Sequence, residues 1–370
     1  MSRILISTDS YLPRLDGVSI FLSEISQGLS EKHEVTILGP RYKNEPPQKG
    51  HVKTRLIQTY NFKIGEFELA KIKLGIIKRA VHDCDILFNQ SIGTIGYFAA
   101  REAIKQKKKV IGFVHSIEHM RIPLYISFLK RFSYWFLKKI EKRYYESCDL
   151  LLVPSEITLQ ALEDLGVRTK MMRIELGVDT QKFAPSDDKA SSKKKIGIEP
   201  HIKIIGYVGR VSREKNLTVL YDAFKRLEEN TENIKLLIVG SGLRKEFFPD
   251  TKNIIFVNST SNVEDYYKAM DVFVMPSFIE TTSLATMEAM SCGIPTVATK
   301  VGTIPSYLKH GVNGYFFPKE HDKALAEKIK AILNDKKLAE TMSKNARETI
   351  TTNFSWKRTI MEILEAIDSL

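Results

Sequence analysis

Val272-Phe273-Val274-Met275-Pro276-Ser277-Phe278-Ile279-Glu280-Thr281-Thr282-Ser283-Leu284-Ala285-Thr286-Met287-Glu288-Ala289-Met290 runs from an apolar segment through a polar loop into a helical pattern. Four consecutive apolar residues, Val272 to Met275, mark a strand buried on both faces, as in a parallel sheet. Thr282 or Ser283 then suits the N-cap of a helix opening at the strand's carboxyl end. The small-residue break Cys292-Gly293-Ile294-Pro295 ends that helix. A helix N-terminus so placed attracts an anion such as a diphosphate, because its first amides lack intrahelical partners and the dipole is positive there. Glu288 falls one to two turns in, where a carboxylate can accept hydrogen bonds from sugar or ribose hydroxyls. Glu280 stays on the loop and faces the same crevice. The spacing alone fits two solvated glutamates as well, so the remainder of the chain has to decide.

The strand-then-helix rhythm extends outward in both directions. Apolar runs at 4–7, 34–38, 86–89, 110–114 and 150–153 alternate with helical patterns, and the second half repeats the habit at 202–208, 234–239, 254–257, 272–275 and 296–298. This predicts an α/β fold of two Rossmann-like, doubly wound domains, at 1–180 and 181–350. Asp179 to Pro185 and the polar tract 186–195 read as the hinge between them. Two such domains facing each other leave a central cleft at the carboxyl ends of both sheets, where open α/β sheets bind ligands.

Composition narrows the function classes. A chain of 370 residues with 43% hydrophobic content can bury two cores. It has no run of roughly 18 apolar residues, the length a membrane span needs. Met1-Ser2-Arg3 followed by Ile4-Leu5-Ile6 is too short for a signal peptide and reads as a first strand, so a cytoplasmic location is expected. Cys84, Cys148 and Cys292 are scattered and odd in number, against both a disulfide framework and a zinc site. Net charge is +12, unevenly spread: residues 1–184 carry 29 basic against 20 acidic side chains, residues 185–370 carry 27 against 24. That bias suggests an anionic partner, nucleic acid or an anionic membrane surface.

Three further motifs fall at strand ends. Thr8 to Val18 follows the first strand, and Gly17 would let backbone approach a ligand where a helix with Phe21, Leu22, Ile25 and Leu29 begins; it also fits a plain turn. His115, at the tip of the strand 110–114, can hydrogen-bond a substrate hydroxyl or help a proton leave, or serve only structure. In Gly209-Arg210-Val211-Ser212-Arg213-Glu214-Lys215-Asn216, Arg210 and Lys215 bracket the loop leaving the second domain's first strand. Arginine clamps phosphate oxygens in a bidentate fork and lysine adds a point charge, so the pair can balance a diphosphate leaving group without a metal.

The segment 121–146 carries a different signal. At helical pitch Ile122, Ile126, Leu129, Phe132, Phe136 and Ile140 share one face, with Lys130, Arg131, Lys138 and Lys142 on another and Trp135 among them. A basic, aromatic-rich amphipathic helix suits a membrane interface, and a core helix with a solvated face has the same periodicity. The run Lys105 to Lys109 adds positive charge, each basic residue near anionic lipid contributing about 1 kcal/mol.

Taken together these pieces resemble glycosyltransferase family 4, retaining nucleotide-sugar transferases of GT-B architecture, over nearly the whole chain. The resemblance rests on the Gly17 loop, His115, Arg210 with Lys215, the Glu280 to Glu288 segment and the closing Phe354-Ser355-Trp356-Lys357. It implies that Arg210 and Lys215 hold the donor diphosphate, that Glu288 contacts the ribose and Glu280 the donor sugar, with Thr282, Ser283 and Leu284 in the donor loop. By the same similarity His115 lines the sugar pocket, Gly17 floors the phosphates, and 351–370 is a terminal helix crossing back to the first domain. No metal or cofactor is implied beyond the nucleotide-sugar donor. Two departures are visible: Asp16-Gly17 stands where the family often has paired glycines, and Ser283 where glycine is commoner. The wording around Glu280 and around Tyr11 to Val18 looks closest to members that glycosylate membrane lipids such as diacylglycerol, which makes a membrane lipid the implied acceptor. A soluble or polysaccharide acceptor and a nucleotide-sugar epimerase remain rival readings. A nucleic-acid binder lacks any recognised module, and a nicotinamide dehydrogenase lacks the glycine fingerprint.

Overall fold

The computed structural model describes the chain except residues 15, 43–50, 65–66, 118–129 and 250–251, and gives backbone alone for 61–64, 67, 130–133 and 245. Contacts divide it into two compact units, Met1–Glu175 with Trp356–Leu370, and Leu176–Ser355. These divisions fall a few residues from 180/181 and 350/351. The reason is packing: Val178 and Phe183 are buried in the second unit's core, and the Val178 amide donates to Phe354 O at 3.3 Å.

The first unit is an eight-stranded sheet. Its strands are β1 (Arg3–Ser7), β2 (Glu34–Arg41), β3 (Lys53–Ile64), β4 (Phe67–Ala70), β5 (Ile86–Asn89), β6 (Lys109–Phe113), β7 (Leu150–Val153) and β8 (Met171–Arg173). They are ordered β4-β3-β2-β1-β5-β6-β7-β8, and all neighbours are parallel except β3 and β4. Ile4, Leu5 and Ile6 are all buried because helices cover both faces of a parallel sheet. The helix Gly17–Ser30 starts at Asp16, whose side chain accepts from the Ser19 amide while Ser19 Oγ accepts from the Asp16 amide, a reciprocal cap. It buries Phe21, Leu22, Ile25 and Leu29, the stripe anticipated from spacing. The terminal helix Trp356–Asp368 belongs to this unit and lies against Gly17–Ser30. A Cβ at Gly28 would fall 2.5 Å from Ile360 Cδ1, so glycine is what permits that approach.

The second unit is a six-stranded parallel sheet of β9 (Lys203–Val208), β10 (Ile234–Val239), β11 (Ile254–Val257), β12 (Val272–Met275), β13 (Thr296–Thr299) and β14 (Gly314–Phe317). The order is β11-β10-β9-β12-β13-β14. Chain direction across the sheet therefore reverses between β9 and β12, as it does between β1 and β5 in the first unit. Those reversals open a crevice outside the carboxyl ends of the two strands, the place where doubly wound sheets take ligands. Both halves of the fold are the α/β units expected from the sequence.

Candidate active site

In the second unit the loops leaving β9 and β12 flank the reversal. The β9 loop is locked by the β10 loop beside it: Val211 N donates to Ser241 O at 2.9 Å and Leu243 N to Val211 O at 2.8 Å. A Cβ on Gly240, whose φ is +144, would sit 1.9 Å from Gly209 O, so only glycine allows this contact. Tyr207 Oη donates to Arg210 O at 2.6 Å, and the buried Glu214 carboxylate lies 3.3 Å from the Arg210 guanidinium. The β9 and β12 loops are then tied together, Phe278 N to Glu214 O at 2.9 Å and Asn216 Nδ2 to Pro276 O at 3.2 Å.

Lys215 and Glu280 meet directly, Nζ to Oε1 at 2.6 Å, and Ser277 Oγ donates to the same oxygen at 2.6 Å. The expected phosphate-binding cations thus each face a carboxylate, Arg210 beside Glu214 and Lys215 beside Glu280. The charge of that quartet sums to zero, and a large share of the pull on an anion falls to the backbone. There the geometry is specific. The amides of Thr282, Ser283, Leu284 and Ala285 have no hydrogen-bond acceptor among the described residues, and neither does the buried Thr282 hydroxyl. Every helix leaves its first amides without intrahelical partners, and here no side chain caps them and the unpaired run reaches back to the buried Thr282, so the start of the helix Leu284–Ser291 has the geometry of an anion cradle.

Ser283 is the N-cap residue of that helix, as anticipated, yet it makes no capping bond: its Oγ pairs with Thr286 Oγ1 at 2.8 Å. Its backbone is left-handed, φ +59 and ψ +67, a conformation that glycine adopts at no steric cost. Glu288 is buried in the second turn, where Tyr267 Oη donates to its Oε2 at 2.9 Å. Burial pushes this carboxyl up to about 7 against the help of the Tyr267 bond and the nearby Lys182 charge.

The first unit presents a contrasting crevice. The helix Thr94–Lys105 also opens beside the reversal, but the Asp9 carboxylate fills its N-terminus, accepting from Thr94 Oγ1 at 2.9 Å, Ile95 N at 2.8 Å, Gly96 N at 3.1 Å and Ser91 Oγ at 2.5 Å. An internal anion already occupies the position that stands open in the second unit. His115 follows β6, with Nε2 2.9 Å from Gln90 Oε1 and its ring against Phe21 and Phe113. Burial drops the imidazole to about 3, with Asp16 opposing only weakly, so it is neutral and suited to hydrogen bonding rather than to taking up a proton. Gly17 occupies the first helical position and is not among the left-handed glycines, so its backbone is one that any residue adopts.

Of the basic segment 121–146, Ile122, Ile126 and Leu129 lie outside the described residues, as do the side chains of Lys130, Arg131 and Phe132. The helix Lys130–Tyr145 corrects the face assignment: its buried side runs through Glu141, Tyr144 and Tyr145, while Phe136 is 48% exposed and Ile140 half-buried. Residues 141, 144, 145 and 148 make the core stripe at helical pitch, while Tyr134, Trp135 and Phe136 are 42%, 58% and 48% exposed. Lys138 and Lys142 are half-buried, and Lys139 Nζ lies 5.4 Å over the Trp135 ring. No helix among the described residues is long and apolar enough to cross a membrane.

The structure therefore gathers Arg210, Lys215, Glu280, Thr282, Ser283, Leu284 and Glu288 within one unit and places Gly17, His115 and the basic helix in the other. It adds Glu214, Tyr267, Ser277, Thr303 and Tyr307, which no spacing rule singles out.

The model for glycosyltransferase family 4 matches residues 15–182, and that for glycosyl transferases group 1 matches residues 188–349, so the two together take in most of the chain. The chain is 26% identical over 291 residues to the capsular polysaccharide biosynthesis glycosyltransferase CapM of Staphylococcus aureus, covering 75% of this chain and 73% of CapM. It is 25% identical to the alpha-monoglucosyldiacylglycerol synthase of Streptococcus pneumoniae over 99% of this chain and 86% of the synthase. Among solved structures, Anabaena HepE in complex with UDP-glucose superposes with a TM-score of 0.82 at 18% identity, covering 100% of both chains.

Proposed function

The chain belongs to glycosyltransferase family 4, with the GT-B fold, and we propose that it moves a hexose with retention from a nucleoside-diphosphate sugar to a membrane lipid. The observation that carries the donor half is the run of unpartnered amides from Thr282 to Ala285 beside Lys215 and Arg210. Four donors fixed before the ligand arrives stabilise charge as it develops on a departing diphosphate without reorganising. Glu288 receives the ribose hydroxyls, and Glu280, held by Lys215 and Ser277, faces the sugar. In this reading the diphosphate charge is met by amides and basic side chains, so chelation of divalent ions leaves turnover intact. The Asp9-filled helix in the first unit supports assigning the nucleotide to the second, because a carboxylate already occupies the competing anion position. His115, neutral at physiological pH, is suited to hydrogen bonding and not to taking up a proton.

The acceptor half rests on Tyr134, Trp135 and Phe136 standing exposed on a helix that also carries Lys138, Lys139, Lys142 and Arg143. Aromatic rings with flanking cations suit the headgroup region of an anionic bilayer. Similarity to the pneumococcal diacylglycerol-lipid synthase over nearly the entire chain points the same way. The similarity to CapM favours a second reading, in which the acceptor is a polysaccharide precursor. Incubating the purified chain with UDP- and GDP-sugars, with and without a membrane lipid extract, then weighing the products, tests both. A hexose-bearing lipid supports the proposal. Transfer only to a glycan precursor selects the second reading, and donor conversion without acceptor makes the chain an epimerase.

A further inference from the structure

The amides of Thr282 and Ser283 are aimed by groups that lie outside every motif read from the sequence. The carbonyl of Thr281 accepts from Thr303 N at 2.8 Å. The carbonyl of Thr282 accepts from Tyr307 Oη at 2.7 Å and from Thr303 Oγ1 at 3.1 Å. Tyr307 Oη also reaches Ser283 O at 3.4 Å. All three donors come from the segment after β13, whose Gly302 presses on the loop so closely that a Cβ there would meet Glu280 O at 2.4 Å and Thr281 O at 2.5 Å. In a planar trans peptide the C=O and the following N–H point in opposite directions. Drawing the Thr281 and Thr282 carbonyls toward 303–307 therefore turns the Thr282 and Ser283 amides the other way, and it also fixes the peptide whose rotation would let Ser283 leave its left-handed conformation.

We propose that Tyr307 and Thr303 are positioning residues for the diphosphate: their hydroxyls hold the Thr282 carbonyl and the Thr303 amide holds the Thr281 carbonyl, so that the two consecutive amides present to the phosphate oxygens, and the pair sets donor affinity without touching the donor. The inference rests on the donor reading above. Tyr307 is fully buried, with its ring 5.8 Å edge-on from Phe354, so Tyr307→Phe keeps the packing and removes one oxygen. Thr303→Val is the matching isosteric change for the second hydroxyl.

The full-length chain and both variants are titrated calorimetrically with UDP and GDP, and with uridine and guanosine, which lack the phosphates. Each variant is expected to bind the preferred diphosphate about 10-fold more weakly, the scale of one hydrogen bond, with nucleoside affinity unchanged. A purely structural role lowers both affinities by one factor, and that outcome overturns the proposal, as does an unchanged diphosphate affinity in both variants. Should Tyr307→Phe fail to fold, Thr303→Val decides by the same ratio. Failure of the wild-type chain to bind either diphosphate sinks the donor reading instead, which keeps the two claims separable.

Discussion

Glu288 makes the sharpest quantitative test. Its carboxyl is lifted from 4.5 to about 7 by burial, so between those values the folded chain holds a proton that the unfolded chain has released. Stability contributed by the neutral form is therefore complete below about pH 4.5 and falls as pH rises through 7, by about 1.4 kcal/mol per pH unit and about 3 kcal/mol in all. Glu288→Gln, neutral at every pH, removes that slope and should leave the variant more stable than wild type at pH 8. Under the proposed donor assignment the nucleotide reverses the preference, since ribose hydroxyls would donate to the ionised carboxylate. With a pKa near 7, about a tenth of the sites are ionised at pH 6 and about nine tenths at pH 8, so nucleoside-diphosphate affinity should rise about 10-fold across that interval. Urea unfolding at pH 5 and pH 8, with calorimetric titration at pH 6 and pH 8 in two buffers of different ionisation enthalpy, reads both effects and the proton released on binding. Identical pH slopes for wild type and Glu288→Gln would refute the reasoning.

Other consequences are simpler to state. Arg210→Ala and Lys215→Ala should each lower kcat at saturating donor by about 10²-fold or more, the cost of losing one preorganised charge contact; near-normal turnover in both withdraws their assignment. Lys215→Ala should also lower the melting temperature, because it leaves Glu280, 8% exposed, without its cation. At position 283 a β-branched residue meets a left-handed backbone, so Ser283→Val should cost about 1 kcal/mol or more while Ser283→Gly is tolerated; equal melting points for the two variants count against that strain. Replacing Lys130, Arg131, Lys138 and Lys142 by Gln should reduce co-sedimentation with anionic vesicles and flatten its salt dependence, and Trp135→Ala should weaken capture by neutral vesicles as well. Undiminished sedimentation in both argues for an acceptor away from the bilayer.

Legibility of the fold followed burial. The runs 86–89, 150–153, 234–239 and 272–275 match observed strands residue for residue, because interior strands of a parallel sheet are apolar on both faces, and the edge strand 254–257 matches as well because its four residues are all apolar. The strands that escaped notice lie toward the sheet edges. In β3, Lys53 to Ile64, charged and polar residues interrupt the apolar pattern, β8 is three residues long, and β4 and β14 have four residues each. The site divides similarly. Lys215, Glu280, Ser283 and Glu288 stand out as candidates because they follow apolar runs, but the pairing of Lys215 with Glu280 joins residues 65 apart and has no local signature. Tyr267, Thr303 and Tyr307 act through contacts from neighbouring elements, which a one-dimensional pattern does not record. For the basic helix, periodicity permitted more than one face, and tertiary packing chose the stripe through Glu141, Tyr144 and Tyr145.

The amino-terminal unit recruits its last helix from the far end of the chain, across the whole of Leu176–Ser355. On the ribosome the order of completion is thus inverted: the half translated first waits, with the groove beside Phe21 and Gly28 unfilled, until Trp356 and Ile360 emerge, whereas the half translated second is one continuous stretch. Excision at two points yields the unit Leu176–Ser355 as a single fragment. Recovering its companion intact requires joining 175 to 356 by a new peptide, and a simple carboxyl-terminal truncation strips a layer from the very half it was meant to spare.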